Sequence, residues 1–255
     1  MQLYPAGHTK NSITFVVFDR DRGSRNGFPG GAAASLTHTL TPYEWRISYG
    51  VTPIGASFPI SLSQQVFWNL DGLDSSHSEK RTVTDHNLAL PFSGMRLDTD
   101  ESGIPTGDIS GNRANSTFDF WSQPRKIGPT ALDDTFLINR RQPWSMYTAP
   151  VASLRSEKSG VKMDLYTDQE ALHVVTWDKE TGEIPLKKSQ LESDSQGHVP
   201  VPLHAAVSLQ MQDWTDAINH PEWQREDRVI WGTDRLYTMY STYKFSVDRQ
   251  AQTCV

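Results

Sequence analysis

The sequence predicts an all-β protein built from antiparallel strands. Helical periodicity is hard to find along its 255 residues. Short runs rich in Val, Ile, Thr, Tyr, Phe and Trp recur instead, separated by clusters of Gly, Pro, Asp and Asn; this is how strands joined by turns are written. The segment Val201–Gln212 shows the pattern most clearly. Leu203, Ala205, Val207, Leu209 and Met211 alternate with His204, Ala206, Ser208, Gln210 and Gln212, and a period of two sends the two sets to opposite faces. The first set is uniformly apolar and belongs in a core. The second is small and polar, which suits either the floor of a solvated cleft or a half-exposed sheet face.

Along the chain, strands are expected at Ile13–Phe18, Ala33–Thr41, Trp45–Val51, Ile60–Leu70, Phe136–Asn139, Val161–Tyr166, Ala171–Trp177, Val201–Gln212 and Leu236–Val247. Turns are expected at Asp21-Arg22-Gly23, Pro29-Gly30-Gly31, Thr181-Gly182 and Gln196-Gly197, because Gly, Pro and Asp supply the backbone angles that tight turns need. Two polar stretches, Asp71–Arg81 and Lys179–Gly197, read as surface loops. No internal repeat or linker appears, so residues 1–255 are expected to form a single β domain.

Composition narrows the function. Hydrophobic residues make up 36 % and charged residues 21 % of the chain, ordinary for a globular protein. The net charge of −6, with no basic stripe, argues against a nucleic-acid partner. No run of about 18 apolar residues is present to span a membrane, and the first residues lack the pattern of a signal peptide. Cys254 is the one cysteine, so neither an internal disulfide nor a thiolate metal site can form. A reducing, cytoplasmic setting is expected, which makes the sequon Asn115-Ser116-Thr117 incidental. The eight histidines show no metal-ligand spacing, and no P-loop, dinucleotide fingerprint or nucleophile elbow occurs. No metal and no cofactor is expected.

A series of motifs carries more information. Gly27-Phe28-Pro29-Gly30-Gly31 precedes a strand ending in Thr39-Leu40. Ile60-Ser61-Leu62-Ser63-Gln64-Gln65-Val66-Phe67-Trp68-Asn69-Leu70 follows, then Asp85-His86-Asn87-Leu88, Ile104-Pro105-Thr106-Gly107 and Phe118-Asp119-Phe120. Leu132-Asp133-Asp134-Thr135-Phe136-Leu137-Ile138 comes next. Leu209-Gln210-Met211-Gln212 is followed by Asp216-Ala217-Ile218-Asn219 and Pro221, and Tyr237–Phe245 closes the series. In this order, over about residues 27–245, they resemble the GFPG, VNLTNHSYFNL, H-x-L, IPTG, FDF, DHNFVL, LE-x-Q-x-x-PDA-x-N-x-P and T-x-Y-x-F elements of the aldose 1-epimerase (galactose mutarotase) family. The resemblance implies an antiparallel β-supersandwich with an open polar cleft that holds a sugar, here incomplete at the N-terminus.

The family resemblance also implies a chemistry. In the family a glutamate takes the proton of the anomeric hydroxyl and a histidine protonates the ring oxygen; the ring opens, the aldehyde rotates, and closure gives the other anomer. The position matching that glutamate is Gln210, and the position matching that histidine is Gln65. An amide neither accepts nor releases a proton near neutral pH, although it donates and accepts hydrogen bonds. Asp133 matches the carboxylate that holds sugar hydroxyls, and Asn69, Gln212 and Asp216 match positions near the cleft. The aromatic of the family's QFYT strand is replaced by Val175 in His173-Val174-Val175-Thr176. The family's first third, with a sugar-binding arginine and a second histidine in an HGG element, has no counterpart before Gly27. The expectation is a shortened natural form or a truncated gene model, with residues 1–26 a divergent arm. That arm, or a homo-oligomer, would cover the sheet edge left open.

Other features have plainer readings. Trp68, Trp121, Trp177, Trp214, Trp223 and Trp231 are able to stack on a ligand, but tryptophan also packs sheets. His204 would share a face with Gln210, yet six residues of strand separate them by about 20 Å. Glu222, Glu226 and Asp227, interspersed with Arg225 and Arg228, read as a solvated loop with local ion pairs, each worth little. The partner expected is a sugar or sugar-like small molecule. Three functions compete: an isomerase or cyclase with altered chemistry, a carbohydrate-binding or regulatory protein without turnover, and an inactive relic. The glutamine pair favours the second, because Gln nearly keeps the shape of Glu and preserves a polar cleft.

Overall fold

In the computed structural model the described residues are 4–19, 29–73, 82–140, 148–178, 184–187, 190 and 200–248. Gly27 and Phe28, the turns at Asp21-Arg22-Gly23, Thr181-Gly182 and Gln196-Gly197, most of both polar loops, and Cys254 lie outside them.

The strands are β1 (Tyr4–Thr9), β2 (Ser12–Asp19), β3 (Gly31–Thr41), β4 (Glu44–Ile54), β5 (Phe58–Pro59), β6 (Phe67–Trp68), β7 (Asn87–Ala89), β8 (Met95–Thr99) and β9 (Pro105–Gly111). They continue with β10 (Arg125–Lys126), β11 (Asp133–Leu137), β12 (Ala152–Arg155), β13 (Val161–Thr167), β14 (Ala171–Thr176), β15 (Val207–Gln212), β16 (Ile230–Trp231) and β17 (Tyr237–Val247). A nine-stranded sheet runs in the order β1-β2-β3-β4-β17-β13-β12-β7-β10, and a six-stranded sheet in the order β6-β15-β14-β11-β8-β9. Every named pairing is antiparallel. Among the described residues the one α-helix is the short Glu226–Val229 turn. The all-β expectation therefore holds.

Alternation explains the core. Ile47 and Val51 of β4, Leu154 of β12, Met163 and Leu165 of β13, and Met239 and Tyr243 of β17 point inward from the larger sheet. Phe136 of β11, Leu172 and Val174 of β14, and Val207, Leu209 and Met211 of β15 meet them from the smaller one. The Tyr243 hydroxyl lies 3.4 Å from the Met211 sulfur, joining the two layers. Each such side chain, fully withdrawn from water, contributes about 1.5–3 kcal/mol. The FDF motif and the Asp133–Leu137 strand meet here as well, because Phe118 and Phe120 both pack against the ring of Phe136. Between those two rings Asp119 turns back to hold its own loop, accepting from the Asn115 amide at 2.6 Å and the Ser122 hydroxyl at 2.7 Å. That amide, first among several donors, holds its carboxyl below the usual aspartate range.

Two expected strands are shorter in the structure. Of Ile60–Leu70 only Phe67–Trp68 joins a ladder; upstream, donors find partners one at a time, Ile60 on the Val229 carbonyl at 3.0 Å and Leu62 on the Tyr237 hydroxyl at 3.3 Å. Of Val201–Gln212 only Val207–Gln212 is strand. Pro200 and Pro202 lack the donors a ladder uses, and His204 turns the chain at φ 52°. His204 therefore does not share the β15 face; its Nδ1 lies 2.7 Å from Asp178.

The loop read as solvated is exposed at Glu222, Glu226, Asp227 and Arg228, but its arginines pair with carboxylates outside the loop rather than locally. Arg225, with its side chain 10 % exposed, pairs with Asp213 and with Glu170 in the β13–β14 turn. Its guanidinium lies 4.7 Å from the Trp214 ring centroid, and Arg228 also reaches Glu170. These contacts clamp residues 213–228 onto the end of the smaller sheet. The Ile104-Pro105-Thr106-Gly107 stretch at the start of β9 lies against the same segment: the carbonyl of Gly107, a residue at φ 95°, accepts from the Trp223 indole N–H at 2.9 Å.

Candidate functional site

The outward face of the six-stranded sheet gathers the polar residues. Three rows cross β15, β14 and β11. Ser208, Val175 and Asp133 form the first; Gln210, His173 and Thr135 the second; Gln212, Ala171 and Leu137 the third. Alternation places all nine on the face opposite Val207, Leu209 and Met211. Phe67 of β6 extends the first row beside Ser208.

Aromatic groups bound this face. Phe67 packs edge-on against Trp177 at 5.3 Å at one end. At the other, Trp214 and Trp223 cover Leu97, Leu137 and Ala171. Trp68 instead faces the core, against Tyr243 and Phe245, and Trp231 packs on Tyr237. The floor is more covered than an open cleft: Ser208 is 0 %, Thr135 5 % and Gln210 8 % exposed. The Ser208 hydroxyl finds no hydrogen-bond partner among the described residues, an uncommon state for a buried polar group.

Asp133 and His173 make the most pointed contact. Asp133 lies diagonally across from His173, and its Oδ1 is 2.7 Å from Nε2; diagonal neighbours on a sheet are within reach of long side chains. The Asp133 side chain is 75 % and that of His173 27 % exposed. Asp134 points the other way, 3.7 Å from Arg96, and burial pushes its carboxyl up. The paired aspartates of the motif thus have separate surroundings.

The remaining sequence-selected residues are distributed as follows. Gln65 is exposed and lies two residues upstream of Phe67, in the direction in which β15 reaches Gln210. Gln212 donates to the Thr215 hydroxyl at 2.6 Å, and Thr215 is 3.2 Å from the Thr135 hydroxyl. Asn69 donates to the Ala205 carbonyl at 2.8 Å and accepts from the Asp71 amide at 3.0 Å, so it ties the chain at the end of β6. Asp216 stands in a left-handed turn at φ 61°, accepts from Asn219, and lies 3.7 Å from His220. The sheet face therefore unites Asp133, Gln210 and Gln212, while Asn69 and Asp216 serve neighbouring turns. Sequence reasoning did not single out His173, Thr135 or Ser208. The alternation of His173 with Val175 was readable, but the register that sets His173 beside Gln210 was not. No group of three or more potential ligands able to hold a metal occurs among the described residues.

Two antiparallel sheets around a shared core, with this polar face on the smaller one, define a β-supersandwich of the galactose mutarotase type. The profile of the aldose 1-epimerase family matches residues 4–230, and the chain belongs to that family. The match takes in β1 and β2, upstream of the first motif at Gly27, and ends before β17. Epimerase FSL3 of Gibberella zeae is 47 % identical over 95 % of this chain and 61 % of its own length. Human galactose mutarotase is 25 % identical over 93 % of the chain and 64 % of its own length. The chain thus spans somewhat over three fifths of these relatives. Among solved structures, the GalM/aldose epimerase homologue from C. elegans superposes with a TM-score of 0.75 at 20 % identity, covering 97 % of this chain and 69 % of that one. Galactose 1-epimerase from Lactobacillus acidophilus gives 0.70 at 16 % identity, covering 97 % and 66 %. No helix among the described residues is long and apolar enough to cross a membrane.

Proposed function

We propose that the polar face of the six-stranded sheet binds a carbohydrate or sugar-like molecule, and that the chain lacks the two-group proton relay of a mutarotase. The observation behind this reading is the middle row of the face, where Gln210 stands beside His173 and Thr135. With Gln65 at the acid position and Gln210 at the base position, neither group moves a proton, and each properly placed group is worth about 10² to 10⁴ in rate. Asp133 and the glutamine amides still offer acceptors and donors for hydroxyl groups. The names of the relatives, aldose 1-epimerase and galactose mutarotase, support a sugar as ligand. A second reading, an isomerase or cyclase with altered chemistry, is favoured by the His173–Asp133 contact.

The test is anomerisation of glucose and galactose by polarimetry at high protein concentration, alongside binding of the same sugars by NMR. The unaltered protein should bind weakly without accelerating anomerisation. Gln210→Glu with Gln65→His should raise the rate. A clear rate in the unaltered protein that survives Asp133→Asn and Asp216→Asn would refute the reading.

A further inference from the structure

We infer that His173 is a general base, held by Asp133, that removes a proton from the carbon next to a ligand carbonyl while the Gln210 amide stabilises the resulting enolate. The inference rests on the polar face being the ligand site.

Among the described residues of this face, the middle row pairs one imidazole with amide and hydroxyl side chains. Nε2 of His173 lies 2.7 Å from the Asp133 carboxylate. When Nε2–H donates there, the carboxylate fixes the tautomer and ring orientation and leaves the lone pair on Nδ1. Gln210 is the direct cross-strand partner of His173, so their Cβ atoms are about 4.5–5.5 Å apart. Its amide offers N–H donors that release no proton, the property needed of a group facing an oxyanion. Ser208, on the same face in the next row, is 0 % exposed with a hydroxyl that has no partner among the described residues.

Opening a hemiacetal ring calls for a base at one oxygen and an acid at another. Enolisation calls for one base and a donor. In the inferred step the C–H bond beside the carbonyl breaks and its proton goes to Nδ1. The C–H electron pair forms the carbon–carbon double bond, and the carbonyl π pair moves onto oxygen, where the amide N–H groups receive it. Return of the proton from the imidazolium, or from solvent after exchange, restores the carbonyl with either configuration at carbon. Nothing is oxidised or reduced, and no co-reactant is needed. The substrate class is an open-chain α-hydroxy aldehyde or ketone.

The experiment follows loss of the methylene proton signal of dihydroxyacetone in D2O by NMR, with galactose binding read in parallel from the His173 ring protons. The full chain should exchange these protons faster than buffer. His173→Gln and His173→Ala should each lose about 10² to 10⁴ of that acceleration, with folding checked by circular dichroism. Added imidazole should restore part of it in His173→Ala, which a structural role would not permit. Asp133→Asn should slow exchange less than loss of the imidazole does. Unchanged exchange in both His173 variants would overturn the inference. Galactose binding without dihydroxyacetone exchange would overturn it alone, and absence of both effects would overturn the ligand site as well.

Discussion

His173 and Gln210 stand directly opposite each other on β14 and β15, so the Gln210 amide has an imidazole as its cross-strand neighbour. Their shared face is closed off from most solvent at Gln210, which is 8 % exposed between Ser208 and the Thr135 side. A neutral amide suits that surrounding better than a carboxylate, because charge loses hydration on burial.

Gln210→Glu should therefore destabilise the protein at pH 7 by about 1–3 kcal/mol. The new carboxyl would be pushed up by burial, so the folded state would bind its proton more readily than the unfolded chain. Stability relative to the parent should recover as pH falls through the raised value. Thermal unfolding of both proteins at pH 7 and pH 5 checks this, and an unaltered melting temperature at pH 7 would contradict it.

Gly107→Ala should cost about 1–3 kcal/mol. The residue sits at φ 95°, and an added Cβ would lie 2.9 Å from the Glu222 Oε1 and 3.1 Å from the His220 Nδ1. At Gly111, at the other end of β9, an added Cβ meets nothing within 4 Å. Gly111→Ala should be nearly neutral, and equal losses in urea denaturation for the two variants would refute the assignment of the cost to Gly107.

Removing Arg225 should be expensive. Its side chain and that of Asp213 are 10 % and 13 % exposed, and breaking a buried pair from one side costs about 3–5 kcal/mol because a charge is left behind. Arg225→Met should approach that loss. Arg225→Met with Asp213→Asn should lose less than the two single changes together. Full additivity in the double-mutant cycle would show that the pair does not couple.

His86 sets a pH dependence. It is 1 % exposed, and its Nε2 accepts from the Leu70 amide at 3.0 Å. Burial holds its pKa below 6.5, and burial lowers that of His38 as well. The unfolded chain then binds more protons than the folded one as pH drops. The stabilisation is complete above about 6.5 and is lost as pH falls below it. Denaturant midpoints at pH 7.5, 6.5 and 6.0 should decline in that order, with a shallower slope in His86→Gln.

Much of the architecture was legible because alternation is a local property. The apolar set Val207, Leu209 and Met211 marked a core face directly, and all three are 0 % exposed. The runs Ile13–Phe18, Ala33–Thr41 and Leu236–Val247 likewise announced strands through their β-branched and aromatic content, and the structure has strands there at Ser12–Asp19, Gly31–Thr41 and Tyr237–Val247. Very short strands such as Phe67–Trp68 and Arg125–Lys126 carry too few residues to show a period. The ordered motifs pointed to the family without any geometry, and they selected Gln65, Asp133 and Gln210.

Sequence by itself determined the strand-forming character of the chain, the apolar face of β15 and the amides at Gln65 and Gln210. Tertiary structure decided the neighbours. The contact between His173 and Asp133 spans 40 positions, and the one between Arg225 and Glu170 spans 55. Each depends on strand or loop register, and a one-residue slip would turn a strand's side chains to the other face. That register is chosen by packing of the whole core, with Phe136 between Phe118 and Phe120 and Met211 against Tyr243, so no local stretch of residues encodes which polar groups meet.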